Sequence, residues 1–133
     1  MELNSKLKQV IQSSTFQIIE GTFVYTKVGK IPNGEHFMIT TDKDEITVIT
    51  EEGRLNELDV VERNKDSYSL IALNVSVPFY SVGFLAAISK AIAEAGMNVL
   101  IVSTYSKDYI MVRNDLLQKA LQILLSLGFK EKM

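Results

Sequence analysis

The chain has no cysteine and no tryptophan, and among its 133 residues there are one histidine and two prolines. Without cysteine there is no disulfide, no thiolate ligation of zinc or iron–sulfur clusters, and no thiol nucleophile. The lone histidine, His36, cannot build a multi-histidine metal site within one chain. No apolar run reaches the roughly 18–20 residues that cross a bilayer. The opening Met1-Glu2-Leu3-Asn4-Ser5-Lys6 lacks the charged-then-apolar layout of a signal peptide. These absences predict a cytoplasmic protein with no membrane partner and give no indication of a metal or cofactor. A basic excess is missing too: 14 Lys and Arg stand against 16 Asp and Glu, for a net charge of −2. Nucleic-acid binders carry cations that release counterions from phosphate, so no nucleic-acid partner is expected.

What is present is an ordinary globular composition, 47% apolar and 23% charged, enough for one domain or two small halves sharing a core. Residues 1–66 carry a net charge of −4 and residues 67–133 a net of +2. The polar run Glu62-Arg63-Asn64-Lys65-Asp66-Ser67 marks the change, so the expected domains are 1–66 and 67–133. In the first half, Leu3, Leu7, Val10 and Ile11 have helical spacing. Strands are predicted at Phe16–Ile19 and Thr22–Thr26, with a bulge or bend at Gly21, and at Phe37–Thr40, Ile46–Thr50 and Leu58–Val61. Ile31-Pro32-Asn33-Gly34 is a turn signal.

The second half predicts β-α-β-β-α. A strand over Tyr68–Val75, with Leu70 and Ala72 on one face, precedes a helix over Val82–Ala95 capped by Ser81. Leu85, Ile88, Ile92 and Ala95 form its apolar stripe, and Gly96 is placed to end it. Strands over Asn98–Thr104 and Asp108–Val112 follow. A second helix, capped by Asn114, runs to Leu127 with Leu117, Ala120, Leu121, Leu124 and Leu125 inward, and Gly128 stops it. This is α+β, one strand short of the ferredoxin-like βαββαβ plait, an antiparallel sheet with helices on one face. Too little chain follows Gly128 for a further strand. A strand near Phe16–Ile19 is therefore expected to complete the sheet, which makes the first half a degenerate second copy that exchanges a strand with the other.

The stretch Tyr80-Ser81-Val82-Gly83-Phe84-Leu85-Ala86 resembles the ACT domain signature, a loop with a glycine opening a helix. Gly83, Leu85 and Ala86 match; Tyr80 and Val82 stand where the signature has Asp and Pro. Asp44-Glu45-Ile46-Thr47-Val48 and Ser103-Thr104-Tyr105-Ser106-Lys107-Asp108-Tyr109-Ile110-Met111-Val112 resemble motifs of small tandem-ACT proteins related to the animal arginine sensor CASTOR. The resemblance implies a non-catalytic regulatory or sensor protein that binds a small amino acid, forms a homodimer and acts on a separate regulated protein. The alternative is a ligand-free ACT assembly module.

Each candidate site has a plain structural counterpart. Ser81, Val82, Gly83 and Phe84 can hold a carboxylate on helix N-terminal N–H groups, or Gly83 can serve close packing and Ser81 a cap. Asp44 and Glu45 can take an ammonium group, or they can be a solvated turn. Asn98 and Val99, on the strand after the helix, can supply carbonyls to the ligand under the resemblance. Tyr105 and Asp108 can line a cleft or an interface, or they can belong to a tight reversal. Phe79, Tyr80 and Phe84 can surround a ligand side chain or a dimer contact, with core packing the plainer role for Phe84. His36 reads as an exposed loop residue. An acylphosphatase-like reaction lacks its arginine in 76–83, and an RNA-binding plait lacks its aromatic pair.

Overall fold

The structure, a computed structural model, describes residues 5–75 and 82–132. Along the chain the elements are α1 (Ser5–Gln12), β1 (Thr15–Val28), β2 (Met38–Thr41), β3 (Ile46–Glu51), β4 (Val60–Arg63), β5 (Tyr68–Asn74), α2 (Phe84–Glu94), β6 (Leu100–Ser103), β7 (Asp108–Arg113), α3 (Leu117–Leu127) and β8 (Lys130–Glu131). Contacts divide them into unit 1, residues 1–19 and 70–133, and unit 2, residues 20–69. The division falls inside β1 and inside β5.

Unit 1 carries the βαββαβ order β5-α2-β6-β7-α3-β8, the ferredoxin-like plait. β7 lies between β5 and β6, and β1 pairs with both β5 and β8. Phe16–Ile19 does enter this sheet, as expected. The final strand exists as well, contrary to expectation. It is only two residues long and runs parallel to β1, with Thr15 facing Lys130 and Phe16 facing Glu131. Gly128, at φ +114, ends α3 and turns the chain back, which lets so short a segment reach the sheet.

One apolar cluster holds unit 1. Leu7 and Ile11 of α1, Phe16 of β1, Ile71 and Leu73 of β5, Phe84, Ala87, Ile88 and Ile92 of α2, Ile110 and Val112 of β7, and Ala120, Leu121 and Leu124 of α3 all meet in it. Phe84 and Phe129 touch edge to face, 5.7 Å between centroids. Leu70 and Ala72 share one face of β5, as expected, and Ile71 and Leu73 face the helices from the other. All four are buried, so β5 is covered on both faces and its alternation is lost.

Three other details depart from expectation. α2 begins at Phe84, two residues late, because Gly83 adopts φ +85 and a left-handed residue cannot lie inside a right-handed helix. Asn114 opens a 3-10 turn over Asn114–Leu116 rather than capping α3, whose N-cap is Leu116. Leu125 is 52% exposed while Leu124 is buried. At 100° per residue, Leu125 lies about 100° off the centre of the face made by Ala120, Leu121 and Leu124. The other end of α2 follows its sequence signal: Gly96, at φ +79, sits after the C-cap, and Met97 N–H reaches back to the Ile92 carbonyl at 3.2 Å. Lys119 Nζ donates to the Ala95 carbonyl at 2.7 Å, a cation where the helix dipole is negative.

In unit 2, β3 lies between β2 and β1, and β4 lines the opposite edge of β1. The two strands expected at 16–19 and 22–26 are one continuous strand, with Gly21 absorbing φ +115 in its middle. Phe23, Val24, Val28, Val48 and Ile49 are buried, and the buried Thr26 hydroxyl donates to the Val48 carbonyl at 2.8 Å.

Phe129→Ala removes the aromatic partner of Phe84 and should cost about 3–5 kcal/mol in urea denaturation. Leu125→Ala should stay within about 0.5 kcal/mol. Equal costs would contradict this phase of α3.

Candidate functional site

At the end of unit 1 where β5 leaves the sheet, the chain returns through Val82 and Gly83 into α2. Gly83 is the N-cap, and Ala87 N–H donates to its carbonyl at 2.9 Å. The N–H groups of the residues between them have no carbonyl acceptor within the helix and carry the positive end of its dipole. Gly83 itself presents only backbone there, and Val82 is 91% exposed. Phe84 points the other way, into the core against Phe129, so it offers the site its N–H and not its ring. Ser81, Phe79 and Tyr80 lie outside the described residues.

The β6–β7 hairpin tip stands at the same end. Ser103 and Asp108 face each other across the pair, and the Ser103 hydroxyl donates to the Asp108 carboxylate at 2.5 Å. Thr104 N–H donates to the Lys107 carbonyl at 2.8 Å and closes the reversal. A cavity of about 200 Å³ lies between this tip and Val75, the last described residue before the helix turn, with Tyr105, Lys107 and Asp108 in its wall. Tyr105 is 85% exposed. Asp108 is thus a hydrogen-bonded acceptor beside a cavity, held by the serine five residues before it.

Asn98 and Val99 are elsewhere. They follow the far end of α2, about 16 Å along an eleven-residue helix from Gly83. Val99 packs on the core, and Asn98 is exposed. Asp44 and Glu45 belong to unit 2, in the β2–β3 turn. The Asp42 carboxylate accepts both of their N–H groups, at 2.7 and 2.9 Å, a self-contained Asx turn. Glu45 also borders a polar cavity of about 300 Å³ together with Lys27, Thr47, Glu62 and Arg63. Of these residues only Glu45 is a candidate binding residue in the sequence; Thr47 belongs to its motif, and Glu62 and Arg63 read only as part of the polar junction. The others converge through strand register, which no local motif signals.

His36 is not a free loop side chain. Its Nε2 lies 2.8 Å from the Asn33 carbonyl and its Nδ1 2.9 Å from the Thr50 hydroxyl. Arg54 donates to the Glu35 carbonyl at 2.6 Å, so the 31–37 segment is pinned to β3 and the 3-10 turn after it. The i, i+4 pair Lys90–Glu94 closes at 2.9 Å on the solvent side of α2. A hydrogen bond and the charge of Lys90 hold the Glu94 carboxyl below its ordinary range, and Glu94 raises Lys90 in the same way. Among the described residues no cluster of three or more His, Asp or Glu is placed to hold a metal, and no helix is long and apolar enough to cross a membrane.

Residues 65–126 match the ACT domain family. No curated protein matches the chain. Among solved structures, a Vibrio cholerae protein of unknown function superposes with a TM-score of 0.76 at 25% identity, over 92% of this chain and 96% of that one. A protein from Agrobacterium tumefaciens gives 0.67 at 20% identity, over 90% and 92%. The ligand-free regulatory subunit of aspartate kinase from Thermus thermophilus gives 0.60 at 9% identity, over 84% and 95%. The last two likenesses are likenesses of fold. The α+β ferredoxin-like architecture of the ACT type is thereby established.

A carbonyl oxygen only accepts, so His36 Nε2 carries a proton, and in the neutral ring Nδ1 then accepts from the Thr50 hydroxyl. Long-range ¹H–¹⁵N spectra near neutral pH should show the Nε2–H tautomer. An Nδ1–H pattern would contradict the pinning of this segment.

Proposed function

We propose that the protein is a non-catalytic ACT-type regulatory protein that binds a small amino acid at the Gly83 turn of unit 1. The observation that carries this is the left-handed Gly83 at the N-cap of α2, which opens a helix N-terminus within the ACT-matching segment. Such a turn suits a carboxylate, since several N–H groups and the dipole act together. Asp108, beside the cavity at the β6–β7 hairpin tip, is the acceptor suited to an ammonium or a polar side chain of the ligand. Binding would shift an equilibrium between two arrangements by its differential affinity for them. The regulated partner is then a separate protein, and the working form is a homodimer.

The Ser103–Val112 motif keeps the CASTOR-related tandem-ACT subgroup as the finer placement, with residues 1–66 and 67–133 as its two ACT-like halves. Fold relatives that include an aspartate kinase regulatory subunit support a regulatory role over a catalytic one. A second proposal, a ligand-free assembly module, rests on the departures from the ACT signature at Tyr80 and Val82, which stand where the signature has Asp and Pro.

A thermal-shift screen against the twenty amino acids separates the two. A ligand at about 100 times its dissociation constant adds roughly 2.7 kcal/mol and should raise the midpoint by several degrees. A flat response across the panel favours the assembly module. Gly83→Asp should abolish the shift by placing a carboxylate where the ligand's carboxylate sits. Gly83→Ala should cost about 1 kcal/mol of stability for its left-handed backbone yet keep the response. A normal response from the aspartate variant would misplace the site.

A further inference from the structure

We infer that the polar cavity on unit 2, about 300 Å³ and lined by Tyr25, Lys27, Glu45, Thr47, Glu62 and Arg63, is a second small-molecule site that takes a zwitterion. It goes beyond the Gly83 site and depends on none of its residues. The volume is at the lower end of ligand pockets and suits a small molecule. Register builds its floor: Thr47 of β3, Lys27 of β1 and Glu62 of β4 stand in one row across three strands.

The strand β4 explains itself by this cavity better than by packing. All four of its residues are exposed, so it adds no side chain to the core. Its pairing with β1 carries a bulge: Val28 faces Val60 and Lys27 faces Glu62, which leaves Val61 unpaired and 61% exposed. A bulge re-aims the side chains that follow it. Here it sets Glu62 opposite Lys27 at the cavity wall.

Opposed Lys and Glu on paired strands ordinarily close on each other. Lys27, Glu62 and Glu45 take part in none of the ion pairs among the described residues. Arg63, by contrast, is already engaged, 3.8 Å from Glu52 and donating through Nε to the Asn64 carbonyl at 3.2 Å. One available cation and two available carboxylates thus face one cavity. A simple anion would meet Glu45 and Glu62 there, and a simple cation would meet Lys27 and Arg63. A molecule bearing both an ammonium and a carboxylate satisfies both signs at once, its carboxylate on Lys27 and its ammonium on Glu62 or Glu45, to either side of that lysine.

Titration of ¹⁵N-labelled protein with the twenty amino acids, and with acetate and methylammonium as single-charge probes, tests this. At least one amino acid should move the amides of Lys27, Thr47 and Glu62 saturably, and the single-charge probes should bind at least about tenfold more weakly. Lys27→Met and Glu62→Gln, both on exposed side chains, should each weaken that binding about tenfold while the spectrum stays dispersed. The inference is overturned if no amino acid moves these amides saturably, if acetate or methylammonium does so equally well, or if neither variant changes the affinity. Shifts confined to residues 83–85 and 103–108 would overturn this site and leave the Gly83 site standing. Shifts confined to the β3–β1–β4 row would do the reverse.

Discussion

The burial of one apolar layer between the strands and helices of unit 1 governs what the rest of that unit can do. α1, β1, β5, α2, β7 and α3 each give it at least one side chain, and Phe129 joins it just before β8. At about 25 cal/mol per Å² of apolar surface, large side chains such as Phe16, Phe84 and Phe129 dominate the driving force. Their position also fixes local geometry. Phe84 is buried at the first turn of α2, and Gly83 just before it takes φ +85, a backbone conformation that suits glycine. The N–H groups that open the helix there have no carbonyl acceptor within it.

The hairpin tip is a second product of the sheet. β7 between β5 and β6 brings Ser103 and Asp108 to the end where β5 gives way to the helix turn. The Ser103–Asp108 bond holds the carboxylate at the first residue of β7. Binding groups on short connections over a fixed scaffold are the usual arrangement for recognition. Unit 2 is organised differently. Its polar groups gather on a sheet face, through register and a bulge, and no helix terminus is involved.

Much of this was legible in the chain. The helical spacing of Leu7 and Ile11, the glycines at 96 and 128, and the β-α-β-β-α order from Tyr68 to Leu127 each act locally, so they read directly, whereas the two-residue β8 does not. What failed to read was set by distant partners. Leu125 looks inward until the helix phase is fixed by Ala120 and Leu124. His36 looks exposed because Thr50, its partner, is fourteen residues away. For the site, the glycine turn and the hairpin motif were visible as local patterns. The Lys27–Glu62 opposition was not, because a register shift at Val61 creates it.

The central claim is that the N–H groups opening α2 hold the ligand. Hydrogen exchange resolved to single amides, measured with and without the amino acid that gives the largest stabilisation, addresses it directly. Slower exchange at Phe84, Leu85 and Ala86, beyond the general slowing that any stabilising ligand produces, is the result this account predicts. Protection that rises uniformly across unit 1, with no excess at these three amides, would contradict it.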